Sequence, residues 1–204
     1  AAELAARAGC AARYVREWLN SQVAGGYVDY DAGSDTYELP PEQALVLADE
    51  DSPVYLPNAW QVPASMWFDE HKALEAFRTG KGVAWGEHDE RLYCGVAAFY
   101  RNAYRGSLVP QWLPALDGVV GQLEAGVTVA DVGCGHGHST LLMAEAFPRS
   151  RFHGFDVHEA SIEAARRNAD DAGLADRVTF EVARADGYPG QGYGLICFFD
   201  ALHD

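Results

Sequence analysis

Apolar residues follow a helical spacing at the start of this chain, and glycines divide that part into short elements. Residues 1–8 are rich in alanine, which favours a helix, and Gly9 is placed to end it. A second helix is predicted over residues 11–23, because apolar side chains recur there on one helical face. That stripe consists of Tyr14, Val15, Trp18 and Leu19. Gly25 and Gly26 are expected to end the second helix.

The pattern then becomes that of two short strands. Residues 27–30 and 36–39 flank a turn rich in Asp, Gly and Ser, which predicts a β-hairpin. Two helices followed by a hairpin is the order of elements in a winged helix-turn-helix. We therefore assign residues 1–58 to such a domain, with dimerisation or closure over a substrate as its expected role.

Residues 59–125 are predicted to form a mostly helical connector. Its helices are expected over residues 73–77 and 92–104, with a loop over 80–86. The second of these helices carries an aromatic stripe: Tyr93, Phe99, Tyr100 and Tyr104. Two interpretations stay open, since these rings can pack against a neighbouring domain or one tyrosine can line a ligand pocket.

From residue 126 to 204 apolar runs alternate with helical segments. Strands are predicted over 127–132, 151–157, 178–182 and 193–199, and helices over 139–147 and 159–172. This order with short links predicts an α/β domain with a parallel sheet and right-handed crossovers. The fourth strand is expected beside the first, where a missing neighbour would leave an aggregation-prone edge. Because the chain also begins with Ala1 instead of Met, we expect a fragment at both ends.

The charge balance limits the partners that this protein can have. Its 204 residues include 30 acidic and 15 basic ones, for a net charge of −15, which repels nucleic acid and anionic membranes. Within residues 1–60 three basic residues face ten acidic ones, whereas a DNA-reading wing needs Lys or Arg for phosphate contacts. Nucleic acid is therefore a disfavoured partner, and a small neutral or cationic substrate is favoured. The apolar runs are too short to span a membrane.

Cysteine and histidine usage gives no metal site. The four cysteines are scattered without a C-x-x-C pair, so the sequence lacks the ligand spacing of a zinc site. This usage favours a reduced, cytoplasmic protein. His136 and His138 are close in sequence, but no third ligand follows at a recognisable spacing. We therefore predict no metal.

Residues 129–140 contain the sequence motif that is most informative about ligand binding. A strand ends there, three alternating glycines follow, and a helix begins, so backbone can approach a ligand closely. A dinucleotide fingerprint G-x-G-x-x-G that begins at Gly133 needs its third glycine at position 138, where this chain has His138. The sequence therefore does not match that fingerprint. The pattern that fits is D-x-G-x-G-x-G, beginning at Asp131.

This pattern resembles motif I of class I S-adenosylmethionine-dependent methyltransferases, which have a Rossmann-like sheet. The resemblance implies that Asp131 receives the cofactor ammonium, directly or through water. Asp156 ends the second predicted strand, where an acid can bind both ribose hydroxyls, and the resemblance implies that Asp186 holds the adenine amino group. The implied cofactor-binding set is Asp131, Gly133, Cys134, Gly135, Gly137, Asp156, Val157, Asp186, Gly187 and Phe199.

The last five residues resemble the K-W-x-x-H-D segment of winged-helix O-methyltransferases, although the Lys-Trp pair is absent. The resemblance places their general-base histidine at His203, which can alternatively cap a following helix. It also implies a homodimer through the N-terminal domain. The tetrapeptide [DN]-P-P-[YF] of amine-methylating enzymes is absent.

Together these features predict a Rossmann-like methyltransferase sheet preceded by a winged-helix domain. The expected activity is methyl transfer from S-adenosyl-L-methionine to a small-molecule acceptor, at a hydroxyl oxygen. The alternative is a winged-helix DNA-binding regulator that senses S-adenosylmethionine.

Overall fold

A computed structural model describes residues 1–202 of the chain. The chain divides into two compact units, Ala1–Pro57 and a second unit that begins at Asn58. His203, the predicted general base, lies outside the described residues.

The first unit has the predicted order of elements. Its helices and strands are α1 (Ala2–Ala8), α2 (Ala12–Ala24), β1 (Asp29–Asp31), β2 (Thr36–Glu38) and α3 (Pro41–Leu47). Helix α1 ends at Gly9 in the left-handed conformation, as its position predicts. Strands β1 and β2 pair antiparallel as the expected hairpin. Helix α3 was not predicted, because its Pro41 resembles a break although proline is well tolerated at the first helical position.

The apolar stripe of α2 is only half buried. Val15 and Leu19 join Ala5 in a small core, against which Tyr37 packs. Tyr14 and Trp18 are 77% and 54% exposed. Tyr14 and Trp18 lie one position before Val15 and Leu19 and so point about 100° away from them, which leaves the two aromatic rings outside this small core.

The second unit opens with helices and continues as an α/β sheet. Its elements are α4 (Gln61–Phe68), α5 (Glu70–Thr79), α6 (Glu90–Ser107), α7 (Val119–Ala125), β3 (Thr128–Val132), α8 (His138–Ala146), β4 (Arg151–Asp156), α9 (Glu159–Asp171), β5 (Val178–Val182) and β6 (Leu195–Cys197). A π-helical turn, Leu108–Trp112, follows α6. Within residues 1–202 no helix is long and apolar enough to cross a membrane.

The sheet has the predicted topology. All four strands are parallel in the order β5-β4-β3-β6, so the fourth strand does lie beside the first. Val129 faces a core with Phe152 and Ile162, whereas Ala130 faces the opposite side of the sheet with Phe155. This arrangement confirms the α/β fold and brings the ends of β3, β4 and β6 to one edge, where ligands bind in such sheets.

Candidate active site

The glycine loop leaves β3 and enters α8 over residues 133–137. Gly133, Gly135 and Gly137 all have positive φ, at 76°, 52° and 77°, which other residues adopt only with strain. The backbone amides of Gly133 and Cys134 both donate to the Phe155 carbonyl, 2.7 and 3.1 Å away. The loop is therefore fixed to the end of β4.

The three glycines have different surroundings. A Cβ atom at Gly133 would overlap Ala201, and one at Gly137 would overlap the Phe180 ring. A Cβ atom at Gly135 would meet no atom within 4 Å, although Gly135 lines a cavity. Gly135 therefore keeps open a space that a ligand can fill, while the other two glycines permit close packing.

Asp131 is fully buried at the end of β3 and does not line the cavity. Its Oδ2 accepts hydrogen bonds from Ser139 Oγ at 2.7 Å and Thr140 Oγ1 at 2.6 Å. Burial raises the pKa of its carboxyl, and the two hydroxyl hydrogen bonds oppose that rise. Asp131 thus ties β3 to the first turn of α8, while its Oδ1 is buried with no hydrogen-bond partner among the described residues.

Asp156 lies at the end of β4 and lines the cavity. Its Oδ2 accepts the Gly135 amide and its Oδ1 accepts the His158 amide, each at 2.9 Å. Each carboxylate oxygen has a second lone pair, so Asp156 can still accept hydrogen bonds from two ligand hydroxyls.

The cavity at this edge of the sheet has a volume of about 1170 Å³. Pockets for one drug-sized ligand occupy about 300–1,000 Å³, so this cavity has room for more than one such molecule. Seven of the predicted cofactor residues line it: Gly133, Cys134, Gly135, Asp156, Val157, Asp186 and Phe199. Asp131, Gly137 and Gly187 do not line it. Their predicted contacts with a cofactor stay predictions.

Asp186 lies at the exposed rim of the cavity. Arg184 donates to both of its carboxylate oxygens, at 3.0 and 3.2 Å. This bond lowers the pKa of Asp186 and keeps it ionised near neutral pH.

The aromatic stripe of α6 forms one wall of the cavity. Tyr93, Phe99, Tyr100 and Tyr104 all line it. The interpretation that a tyrosine of this helix lines a pocket is therefore confirmed. The Tyr104 ring also packs in the core, so the two interpretations hold together.

His136 and His138 line the cavity as well. Burial lowers the pKa of His136 and lowers that of His138 to about 4, so both are neutral at pH 7. Within the described part of the chain, no group of three metal-binding side chains comes together. Cys134 is buried, which raises its thiol pKa and leaves it unsuited as a nucleophile.

Sequence reasoning missed a histidine of the loop before α6. His88 lines the cavity, and its Nδ1 is 2.9 Å from Oδ2 of the buried Asp69. Asp69 also accepts Lys72 Nζ at 2.7 Å and the Asp89 amide at 2.9 Å. These bonds lower the pKa of Asp69 and keep it ionised, so Nδ1 of His88 carries the proton. No sequence spacing links residues 69 and 88, because helix α5 and the loop that follows it lie between them.

Two protein families match separate parts of this sequence. Residues 1–49 match the family described as Rv2258c-like winged HTH domain, and residues 123–204 match a methyltransferase domain family. The chain is 34% identical over 136 residues to 27-O-demethylrifamycin SV methyltransferase of Amycolatopsis mediterranei (strain S699). That alignment covers 65% of this chain and 47% of the relative, so the chain spans about half the relative's length.

Solved structures show the same fold at low identity. PigF with S-adenosylhomocysteine has a TM-score of 0.68 at 19% identity, covering 97% of this chain and 60% of PigF. The O-methyltransferase NcsB1 of neocarzinostatin biosynthesis, in complex with S-adenosyl-L-homocysteine and 1,4-dihydroxy-2-naphthoic acid, has a TM-score of 0.61 at 21% identity. That match covers 99% of this chain and 62% of NcsB1.

The parallel sheet, the glycine loop and the acid after β4 define a Rossmann-like domain. The chain joins an Rv2258c-like winged helix-turn-helix domain, matched over residues 1–49, to a methyltransferase domain, matched over residues 123–204. The family resemblance of the sequence is thereby confirmed.

Proposed function

We propose that this protein transfers a methyl group from S-adenosyl-L-methionine to a hydroxyl oxygen of a small molecule. The observation that carries the proposal is the glycine loop beside Asp156 at the edge of a cavity large enough for cofactor and acceptor together. The relative from Amycolatopsis mediterranei is a 27-O-demethylrifamycin SV methyltransferase, and this name supports an oxygen acceptor.

The residues present fit this cofactor. Open space at Gly135 lets the ligand approach the loop backbone, and Asp156 offers its second lone pairs to the ribose hydroxyls. Asp186 at the rim serves the adenine amino group. The Oδ1 atom of Asp131, which has no hydrogen-bond partner within residues 1–202, accepts a hydrogen bond from the ammonium through a water, because the carboxylate itself lies behind the cavity wall.

When bound, the cofactor supplies a methyl group on a sulfonium sulfur, so an acceptor oxygen can take that carbon as the bonding pair returns to sulfur. The protein aligns the acceptor, which can contribute about 7–11 kcal/mol in favourable cases. The aromatic wall of α6 excludes water and orients a flat acceptor. His203 is proposed to remove the hydroxyl proton.

Methyl transfer is tested by product analysis with the full chain. Hydroxylated aromatic compounds are incubated with S-adenosylmethionine, and mass spectrometry detects the methylated product together with S-adenosylhomocysteine. His203→Ala is expected to slow turnover roughly 10²–10⁴-fold, while S-adenosylhomocysteine binding is unchanged. A loss of cofactor binding in this variant would contradict the role of His203.

We also propose that the protein is cytoplasmic and forms a homodimer through its N-terminal unit. Tyr14 and Trp18 present exposed rings one helical turn apart on α2, which a second copy of the chain can cover. The acidic charge of residues 1–60 supports this partner over DNA, so the regulator hypothesis is not favoured.

A further inference from the structure

His88 is a polar side chain beside aromatic rings in the cavity wall. Trp85 and Tyr93 line the same cavity, and the Trp85 ring lies edge-on to the His88 ring at 6.3 Å. The Tyr93 hydroxyl donates to the carbonyls of Trp85 and His88, at 2.9 and 2.8 Å, so its proton is already used within the loop. The side chain of His88 is 27% exposed, which leaves it accessible to a ligand.

Asp69 fixes the orientation of the His88 ring. Its buried carboxylate lies 2.9 Å from Nδ1 of His88 and is bound in turn by Lys72 Nζ at 2.7 Å. The same Lys72 ammonium donates to the Glu87 carbonyl at 2.6 Å, so the backbone next to His88 is held as well. Hydrogen bonds of this kind decide which ring nitrogen carries the proton. With the proton on Nδ1, Nε2 of the neutral ring is a hydrogen-bond acceptor.

Nε2 of His88 has no hydrogen-bond partner within residues 1–202. By contrast, Asp156 accepts two backbone amides at this cavity, and Arg184 donates to Asp186. An acceptor that a ligand covers without a donor costs free energy, so a site built to accept a hydroxyl proton rejects analogues that lack the hydroxyl. Nε2 therefore favours a ligand with a donor at this point.

The proposed function leaves His88 without a cofactor group to bind. The ribose hydroxyls donate to Asp156, the adenine amino group to Asp186, and the ammonium to Asp131 through a water. The hydroxyl that is methylated gives its proton to His203. The donor at Nε2 is therefore a further group of the acceptor molecule, which the cavity has room to hold beside the cofactor.

We propose that His88, held by Asp69, selects a methyl acceptor with a second hydroxyl group, which donates to Nε2. This inference rests on the proposed methyltransferase function and names the substrate class of the same cavity, a small dihydroxylated compound. A neutral hydroxyl suits this point because Lys72 already balances the charge of Asp69. His88 is a binding residue in this proposal, and Asp69 is a positioning residue.

Two pairs of flat phenols test the proposal at different distances between the hydroxyl groups. Resorcinol is compared with phenol, and 2,7-dihydroxynaphthalene with 2-naphthol, by calorimetric titration into the full chain saturated with S-adenosylhomocysteine. In at least one pair, the diol should bind about tenfold or more tightly than the compound with one hydroxyl. Only the diol can occupy Nε2 and the site of methyl transfer together.

His88→Phe is the decisive variant, because it retains a flat ring and removes the acceptor atom. It should reduce the preference for the diol to less than about threefold, while the affinity for S-adenosylhomocysteine is retained. His88→Gln, which retains an acceptor oxygen, should preserve part of the preference. His71→Phe is the matched control, since His71 is exposed and does not line the cavity.

Nitrogen-15 NMR tests the hydrogen bond itself, without turnover. The His88 ring signals are assigned by their loss in His88→Gln. Nε2 should give the signal of an unprotonated nitrogen, which should move when the preferred diol is added but not with the dimethyl ether of that diol. Asp69→Asn should populate the tautomer with the proton on Nε2, a change that a merely structural role of Asp69 would not produce.

The proposal is overturned if neither diol is preferred, if His88→Phe preserves the preference, or if Nε2 does not respond to the diol. An unchanged tautomer in Asp69→Asn would overturn the positioning role of Asp69. Loss of S-adenosylhomocysteine binding in His88→Phe would also overturn the proposal, because His88 would then serve the cofactor. Failure of the unmodified chain to bind S-adenosylhomocysteine would instead count against the proposed function, because the diol preference and the nitrogen spectra are also measured without cofactor.

Discussion

Glycines at alternating positions look equivalent in the sequence, but the structure gives them separate roles. The D-x-G-x-G-x-G spacing correctly predicts a loop between a strand and a helix. It cannot show that Gly137 accommodates the Phe180 ring whereas Gly135 borders open space. That difference depends on Phe180 of β5, a residue more than forty positions away along the chain.

Gly135→Ala should therefore mainly weaken ligand binding, whereas Gly137→Ala should mainly lower stability. Both changes place a side chain at positive φ, which costs roughly 1–2 kcal/mol. Gly137→Ala additionally crowds Phe180 and should destabilise the protein by about 1–3 kcal/mol more in urea unfolding. Gly135→Ala should remain more stable yet bind S-adenosylhomocysteine over tenfold more weakly in calorimetry. Equal stability losses and unchanged affinities would contradict this assignment.

His138 should make the fold sensitive to mild acid. Burial lowers its folded-state pKa to about 4 from an ordinary 6.5, so the unfolded chain binds the proton more readily. Stability should therefore fall as the pH decreases from 6.5 to 4, by on the order of 3 kcal/mol for this residue.

Urea unfolding at pH 7 and pH 4.5 measures that loss. His138→Gln should show a smaller drop between the two pH values than the unmodified chain. His71→Gln, at an exposed histidine, should show the original drop. An identical drop in all three proteins would refute the contribution of His138.

Elements were predictable where a local pattern decided them. Apolar runs alternating with helical segments over residues 126–182 predicted strands β3 to β5 and helices α8 and α9. Helix α4 was missed because Pro63 suggests a break, although it lies in the first turn, where its missing N–H is not needed. Strand β6 is shorter than predicted, since only Leu195–Cys197 pair with β3.

The loop between α5 and α6 is positioned by one buried carboxylate. Asp69 at the start of α5 binds both His88 and the Asp89 amide, and His88 lines the cavity. No apolar pattern marks this contact, so the sequence alone could not predict it.

Asp69→Asn should loosen this loop without unfolding the sheet. Residues 83–90 are expected to exchange amide hydrogens roughly tenfold faster, because the charge-assisted bonds of Asp69 are lost. Strands β3 and β4 should retain their protection. Glu70→Gln, at the exposed neighbouring acid, is the control in hydrogen-exchange mass spectrometry. Unchanged exchange in residues 83–90 would show that Asp69 does not hold the loop.

For the whole molecule, the exposed rings of α2 predict self-association. Size-exclusion chromatography with light scattering should give a dimer for the unmodified chain. Replacing Tyr14 and Trp18 together by Ser should give a monomer, because the surface buried between copies becomes polar. Phe77→Ser, at a residue that is 92% exposed in the second unit, should leave the dimer intact. A monomeric unmodified chain that binds duplex DNA would support the regulator instead.

The central claim is that the glycine loop and Asp156 bind S-adenosylmethionine. Calorimetric titration of S-adenosylmethionine and S-adenosylhomocysteine into the full chain tests it most directly, with Asp156→Ala as the variant and Asp176→Ala as the matched control. Micromolar binding by the unmodified chain and the control, abolished by Asp156→Ala in a folded protein, is the predicted result. No binding by the folded, unmodified chain, or equal binding by Asp156→Ala, would contradict the account.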